Sequence, residues 1–183
     1  MTTKEKLTEM MAYKLRTQGY YATGIREILS ETDVPKGSLY HHFPLGKVDL
    51  ACAALTRSDD KMIEKFRASM KGKGAMEALA SIVEVTKNEL LASDFQEGCP
   101  IATVALEVSH SEIELSKLTA TIYERWENGL TDFLTRRKVP DPRLLAASFL
   151  MQLEGAIILS KVHRNLYYFD LLIQNIHNLA KHE

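Results

Sequence analysis

The segment TGIREILSETDVPKGSLYHHFPLGKVDL, residues 23–50, decides how this chain is read. Thr23 precedes the apolar residues Ile25, Ile28 and Leu29, with Glu27 four positions on. Its hydroxyl is therefore expected to cap the free backbone N–H groups of a new helix. That helix should close at Thr32-Asp33, with Asp33 in the left-handed conformation, because Val34-Pro35 brings in a residue that cannot extend it. Lys36-Gly37-Ser38 then opens a second helix, where Leu39 and Phe43 share one face and Ser38, Tyr40 and His41 occupy others. Two short helices across a turn of three or four residues, the second polar and aromatic, form the pattern of a helix-turn-helix that enters DNA.

The chemistry of the second helix agrees with that reading. Gly37 permits close backbone approach, Ser38 offers a small hydroxyl, Tyr40 and His41 offer flat donors, and Lys36 offers charge. Phosphates and base edges are recognised by such groups. No acid occurs from Val34 to Val48, so positive potential is local to this segment even though the chain's net charge is −1. A plain surface hairpin would also use Gly and Pro as punctuation, but it would not require the full spacing of polar and apolar residues seen here.

Residues 4–50 resemble the N-terminal DNA-binding domain of the TetR family of transcriptional regulators. In that pattern Thr23 matches the cap threonine, and Ile25 and Ile28 match buried positions. Lys36 to Phe43 match the recognition helix with its Tyr-x-His-Phe ending, and Lys47 matches the lysine that opens the next helix. The resemblance implies DNA contacts from Thr23, Lys36, Gly37, Ser38, Tyr40, His41 and Lys47. One departure is Asp33, where the family usually has glycine. A cost of about 1 kcal/mol is expected there, and its side chain is expected to cap the next helix near Lys36-Gly37.

Outside this segment the chain reads as helical throughout. Residues 4–18 carry Leu7, Met10, Met11 and Leu15 at helical spacing and stop at Gly19. Of Tyr20 and Tyr21, at least one is expected to pack between helices. A helix from about residue 45 runs toward Phe66, Lys71-Gly72-Lys73-Gly74 forms a linker, and a further helix reaches Ser93. Pro100 sits in the first turn of an apolar helix over residues 101–108. Ser111 with Glu114 reads as a capping box for a long amphipathic helix over residues 113–137. Two more helices follow, over residues 143–163 and 166–181. The fold class is all-α, with a three-helix helix-turn-helix domain at residues 1–50 and a helical ligand-binding and dimerisation domain at residues 51–183.

With 183 residues, 45% of them hydrophobic, the chain has enough apolar side chains for a packed core. The two cysteines, Cys52 and Cys99, lie far apart with no metal-ligand spacing, so neither a disulfide framework, a metal site nor a cofactor is expected. There is no signal-peptide order at the N-terminus and no apolar run near the ~20 residues of a membrane span. A soluble cytoplasmic protein with no membrane partner is expected. The final helices carry Leu145, Phe149, Leu153 and Ile157, then Leu172, Ile176 and Leu179. That is a surplus for terminal elements, and a reader of a few base pairs gains affinity and specificity by pairing. Both considerations point to a homodimer, and the resemblance implies that the last two helices form a four-helix bundle with their twofold mates.

Residues 95–110, FQEGCPIATVALEVSH, are similar to the LmrA/YxaF branch of the same family, where GCP introduces the sixth helix. That similarity implies a small-molecule effector held among the fifth to eighth helices. Candidate ligand-binding residues are Cys99, Ile101, Val104, Tyr123, Trp126, Met151 and Glu154, since aromatic, sulfur and apolar groups can clasp a hydrophobic compound and Glu154 can meet a cation. Plain core packing is the competing role for each. Cys99, just before Pro100, is also positioned for acidification at a helix N-terminus. An enzyme would need His41, His42, Glu107, His110 and Cys99 to converge, and their spacing fits no known nucleophile and base set, so catalysis is not expected. The expected function is a DNA-binding transcriptional regulator, a repressor that binds a palindromic double-stranded operator as a homodimer and is released by a small hydrophobic molecule. The alternative is a protein-interaction adaptor built on a helix-turn-helix scaffold.

Overall fold

A computed structural model describes residues 1–108 and 112–180, apart from the side chain of residue 180. Among the described residues the chain forms ten helices and no strand. They are α1 (Thr3–Thr17), α2 (Gly19–Ala22), α3 (Ile25–Thr32), α4 (Lys36–His42), α5 (Lys47–Met70), α6 (Ala75–Ala92), α7 (Pro100–Val108), α8 (Ile113–Thr135), α9 (Pro142–His163) and α10 (Tyr167–Ala180). Contacts group the chain into two compact units, Met1–Lys61 with Cys99–Ile122, and Met62–Gly98 with Tyr123–Glu183. This division by packing differs from the division by role expected at residue 50, because α7 packs with α1 and α2 in the first unit.

In the first unit α1 starts at a reciprocal cap. The Glu5 N–H donates to the Thr2 hydroxyl at 3.2 Å, and the Thr2 N–H donates to the Glu5 carboxylate at 2.7 Å. Leu7, Met11 and Leu15, spaced by four, are fully buried. They join Ile28 of α3, Leu39 of α4, Leu50, Ala54 and Leu55 of α5, and Ile101, Val104 and Val108 of α7 in the core of this unit. Burying such side chains contributes about 1.5–3 kcal/mol each before entropy is set against it. Two ion-pair clusters clamp the helices. Lys14 donates to Glu27 at 2.5 Å and to Glu31 at 2.7 Å, fastening α1 to α3, and Glu9 of α1 accepts from Arg57 and Lys61 of α5.

In the second unit α10 packs on α9 and α6, and α9 also meets α6. The core comprises Leu79, Ile82, Val83 and Leu90 of α6, Phe149 and Leu153 of α9, and Phe169, Leu172 and Ile176 of α10. The linker expected at residues 71–74 separates α5 from α6, with Gly72 at φ +75°. Pro100 opens α7, and Pro142 opens α9. The capping box expected at Ser111 lies outside the described residues, as does His110.

Two local expectations are corrected. Thr23 does not cap α3. Gly24 is the N-cap there, with no side-chain hydrogen bond, while the Thr23 hydroxyl donates back to the Gly19 carbonyl at 2.6 Å. The cause is a helix that the sequence pattern did not separate, the single turn α2, whose end the threonine closes. Asp33 does adopt the left-handed conformation, at φ 53° and ψ 42°. It does not cap the following helix, because the N-cap of α4 is Pro35 and no side chain hydrogen-bonds there.

Candidate nucleic-acid interface

Helix α4 is held from beneath by Leu39, fully buried, and Phe43 just beyond its end, nearly so. Its first turn is closed on Pro35, whose carbonyl accepts from the Ser38 N–H at 3.0 Å and the Leu39 N–H at 3.4 Å. With that stripe fixed inward, helical geometry turns Lys36, Gly37, Tyr40 and His41 to solvent and leaves Ser38 half-buried. The outward row is ordered as well as exposed. The Lys36 ammonium lies 5.8 Å from the Tyr40 ring centroid, and the His41 and His42 rings meet edge to face at 5.0 Å.

Behind α4 the chain turns at Gly46, φ +68°, where a Cβ would stand 3.2 Å from the Tyr40 ring. Glycine at this position supplies both the left-handed turn and room for the tyrosine. The Leu45 N–H donates to Asp49 at 2.7 Å, which caps the start of α5. Lys47, the first residue of α5, places its ammonium 4.3 Å from the centroid of the Tyr20 ring. Burial pushes its pKa down, against the pull of Glu107 and Glu112. Burial likewise raises the Tyr20 hydroxyl to about 12, assisted by Glu112, Tyr21 and Cys52. Tyr20 is thus the packing member of the tyrosine pair, and Tyr21 is exposed.

Of the seven residues expected at DNA, α4 brings Lys36, Gly37, Ser38, Tyr40 and His41 onto one segment. Thr23 stands apart from them, being 1% exposed with its hydroxyl already engaged. Lys47 opens its helix as expected, with its ammonium on Tyr20. Three residues that pose this reader were not given that role from sequence. Lys14 is buried between Glu27 and Glu31, Gly19 turns the chain at φ +85°, and Glu107 accepts from the Tyr20 N–H at 2.5 Å and the Tyr21 N–H at 3.3 Å. Glu107 left one signal in the sequence, as the only charged residue of the largely apolar α7.

The residues expected at a ligand fall into both units. In the first, Ile101 and Val104 are core, and the half-buried Cys99 sulfur accepts from the Ala102 N–H at 3.5 Å at the start of α7. In the second, the Tyr123 hydroxyl donates to Glu154 at 3.0 Å, and the Tyr123 and Trp126 rings meet edge to face at 5.3 Å. Met151 is 70% exposed on α9. No group of three or more potential metal ligands occurs among the described residues.

The geometry can be set beside known proteins. Residues 15–54 match the bacterial regulatory proteins of the tetR family, and residues 75–174 match the C-terminal domain of LmrA/YxaF-like transcriptional regulators. The chain is 29% identical to an HTH-type transcriptional regulator of Mycobacterium tuberculosis, covering 96% of this chain and 93% of that one. It is 28% identical to the HTH-type transcriptional regulator LmrA of Bacillus subtilis, over 88% of each. Among solved structures, a regulatory protein TetR from Rhodobacter sphaeroides superposes with a TM-score of 0.87 at 21% identity, covering 96% of this chain and 97% of that one.

Proposed function

Because the chain belongs to the TetR family of bacterial transcriptional regulators, with an LmrA/YxaF-like C-terminal domain, we propose that it is a ligand-responsive repressor that binds a palindromic operator as a homodimer. Regulation by DNA binding, without catalysis, is what its family does; the operator's symmetry, the effector and the sign of regulation are our reading. The observation that carries it is the outward row of α4, where Lys36, Gly37, Tyr40 and His41 stand on a buried Leu39 in a segment free of acids from Val34 to Val48. Tyr40 and Lys36 are assigned to phosphate, and Ser38 and His41 to base edges. Lys47 remains assigned to phosphate through the start of α5, and Thr23 acts by closing α2 rather than by touching DNA.

A homodimer is supported by the outer face of α9. Leu144, Met151, Ile158 and Val162 form a stripe at helical spacing and are all exposed in the single chain, as are Leu171 and Leu179 of α10. Contrary to the expectation of no run near the length of a membrane span, helix α9 is long and apolar enough to cross a membrane by length and composition alone. A partner subunit's helices account for that apolarity in a DNA-binding protein, which works in the cytoplasm with its operator. Two readers related by a twofold axis then meet half-sites about one DNA turn apart.

The effector is proposed to be a small hydrophobic molecule contacted by Tyr123, Trp126 and Glu154 of the second unit, where the tyrosine hydroxyl meets the glutamate and the two rings meet edge to face. A ligand that favours the DNA-incompetent state about 100-fold supplies roughly 2.7 kcal/mol, enough to empty an operator substantially. The test is capture of genomic fragments by the purified protein followed by footprinting. A protected inverted repeat near a promoter is expected. Capture of no fragment over background by a folded dimer would instead favour the adaptor, a protein-docking role with no DNA partner.

A further inference from the structure

Helix α7 carries a single charged residue. Ile101, Val104 and Val108 bury one side of it, and Glu107, half-buried, reaches the first turn of α2. There its carboxylate accepts the backbone N–H groups of Tyr20 and Tyr21 at 2.5 and 3.3 Å. These are donors that a one-turn helix leaves without intrahelical partners, and charge makes such bonds stronger than neutral ones. Gly19 makes room for the contact. At φ +85° it would place a Cβ 2.3 Å from the Glu107 carboxylate, so both its backbone and its missing side chain are fitted to this contact.

From α2 the contacts continue to the DNA reader. The ring of Tyr20 carries the Lys47 ammonium, which Glu107 and Glu112 also attract. Lys47 follows Gly46, against which the Tyr40 ring lies. At the other end of α2 the Thr23 hydroxyl ties its C-cap back to the Gly19 carbonyl, and Gly24, the N-cap of α3, follows directly. One carboxylate on α7 is therefore bonded to the hub from which both helices of the reader are placed.

We propose that Glu107 is a positioning residue for DNA binding: its carboxylate latches α7 to the N-terminal turn of α2 and thereby fixes α4 in its DNA-competent pose. The inference deepens the regulator reading and rests on it. Release of the latch leaves the reader to be ordered by DNA itself, which weakens binding.

The test uses full-length dimer and the DNA fragment selected by the wild-type protein. Glu107→Ala is expected to speed amide hydrogen exchange at Tyr20 and Tyr21 at least tenfold and to weaken fragment binding about tenfold. Glu107→Gln, which keeps a carbonyl acceptor, should restore most of both. Leu106→Ala, at an exposed neighbour on α7, should change neither. A merely structural carboxylate would lower the melting temperature of Glu107→Ala without an affinity loss that the glutamine recovers. Unchanged exchange at Tyr20 and Tyr21 overturns the latch, and faster exchange with unchanged affinity overturns its role in positioning. Failure of the wild-type protein to select any DNA would instead count against the regulator reading, while the exchange measurement would still decide whether the latch exists.

Discussion

Asp33 is the residue at which sequence and conformation disagree most usefully. It holds the left-handed conformation that closes α3 while exposed and without capping α4. Asp33→Gly should therefore stabilise the protein by about 0.5–1 kcal/mol in urea unfolding, since no packing is lost and backbone strain is relieved. A loss of stability would mean that the carboxylate has an essential partner. Lys14 makes the opposite case, a buried charge that is fully engaged. Its hydrogen bond, with a second from Gln18, holds the Glu27 carboxyl below the ordinary carboxylate range, and Glu27 and Glu31 hold the Lys14 ammonium above the ordinary lysine range. A lowered acid contributes stability that is present above its unfolded value and lost as pH falls through its folded one, and a raised lysine contributes stability that is lost only as pH rises through its folded one. The cluster is thus intact at neutral pH and fails in acid. Lys14→Gln should be less stable than wild type at pH 7 and lose less on acidification to pH 3, whereas parallel curves would show that the cluster does not set the acid limb.

Helix α4 separates packing from function within seven residues. Leu39→Ala removes a fully buried side chain and is expected to cost about 2–5 kcal/mol. Tyr40→Ala, whose parent side chain is 43% exposed, should cost under about 1 kcal/mol while removing most DNA affinity. Equal stability losses with unaltered DNA binding would deny α4 its role as reader. Most element boundaries were legible because proline, glycine and the left-handed aspartate mark them, as at Pro35, Gly72 and Pro100. The outward residues of α4 were legible for the same reason, since the spacing of Leu39 and Phe43 fixes which side faces solvent. Helix α2 was not legible. It is a single turn whose free N–H groups are satisfied by Glu107, far away in the sequence, and local propensity contains no trace of such a partner. The misassignment of Thr23 as a cap followed directly, because a threonine before an apolar run looks the same whether it opens one helix or closes another.

At the scale of the molecule, the exposed stripe of α9 is the feature a single chain does not use. Met151→Glu combined with Val162→Glu places two charges on the proposed seam and should convert the dimer to a folded monomer in sedimentation, with operator affinity falling as two-site binding is lost. An intact dimer would move the interface elsewhere. DNA binding by α4 nevertheless remains the central claim, and its most direct test is the salt dependence of affinity for wild type, Tyr40→Ala and Lys36→Ala on one selected fragment. Wild-type affinity should fall steeply and linearly with log salt, and Lys36→Ala should bind more weakly with a slope smaller by about 1, as expected when one phosphate contact is removed. Affinity indifferent to salt, or slopes and affinities in both variants identical to wild type, would contradict it.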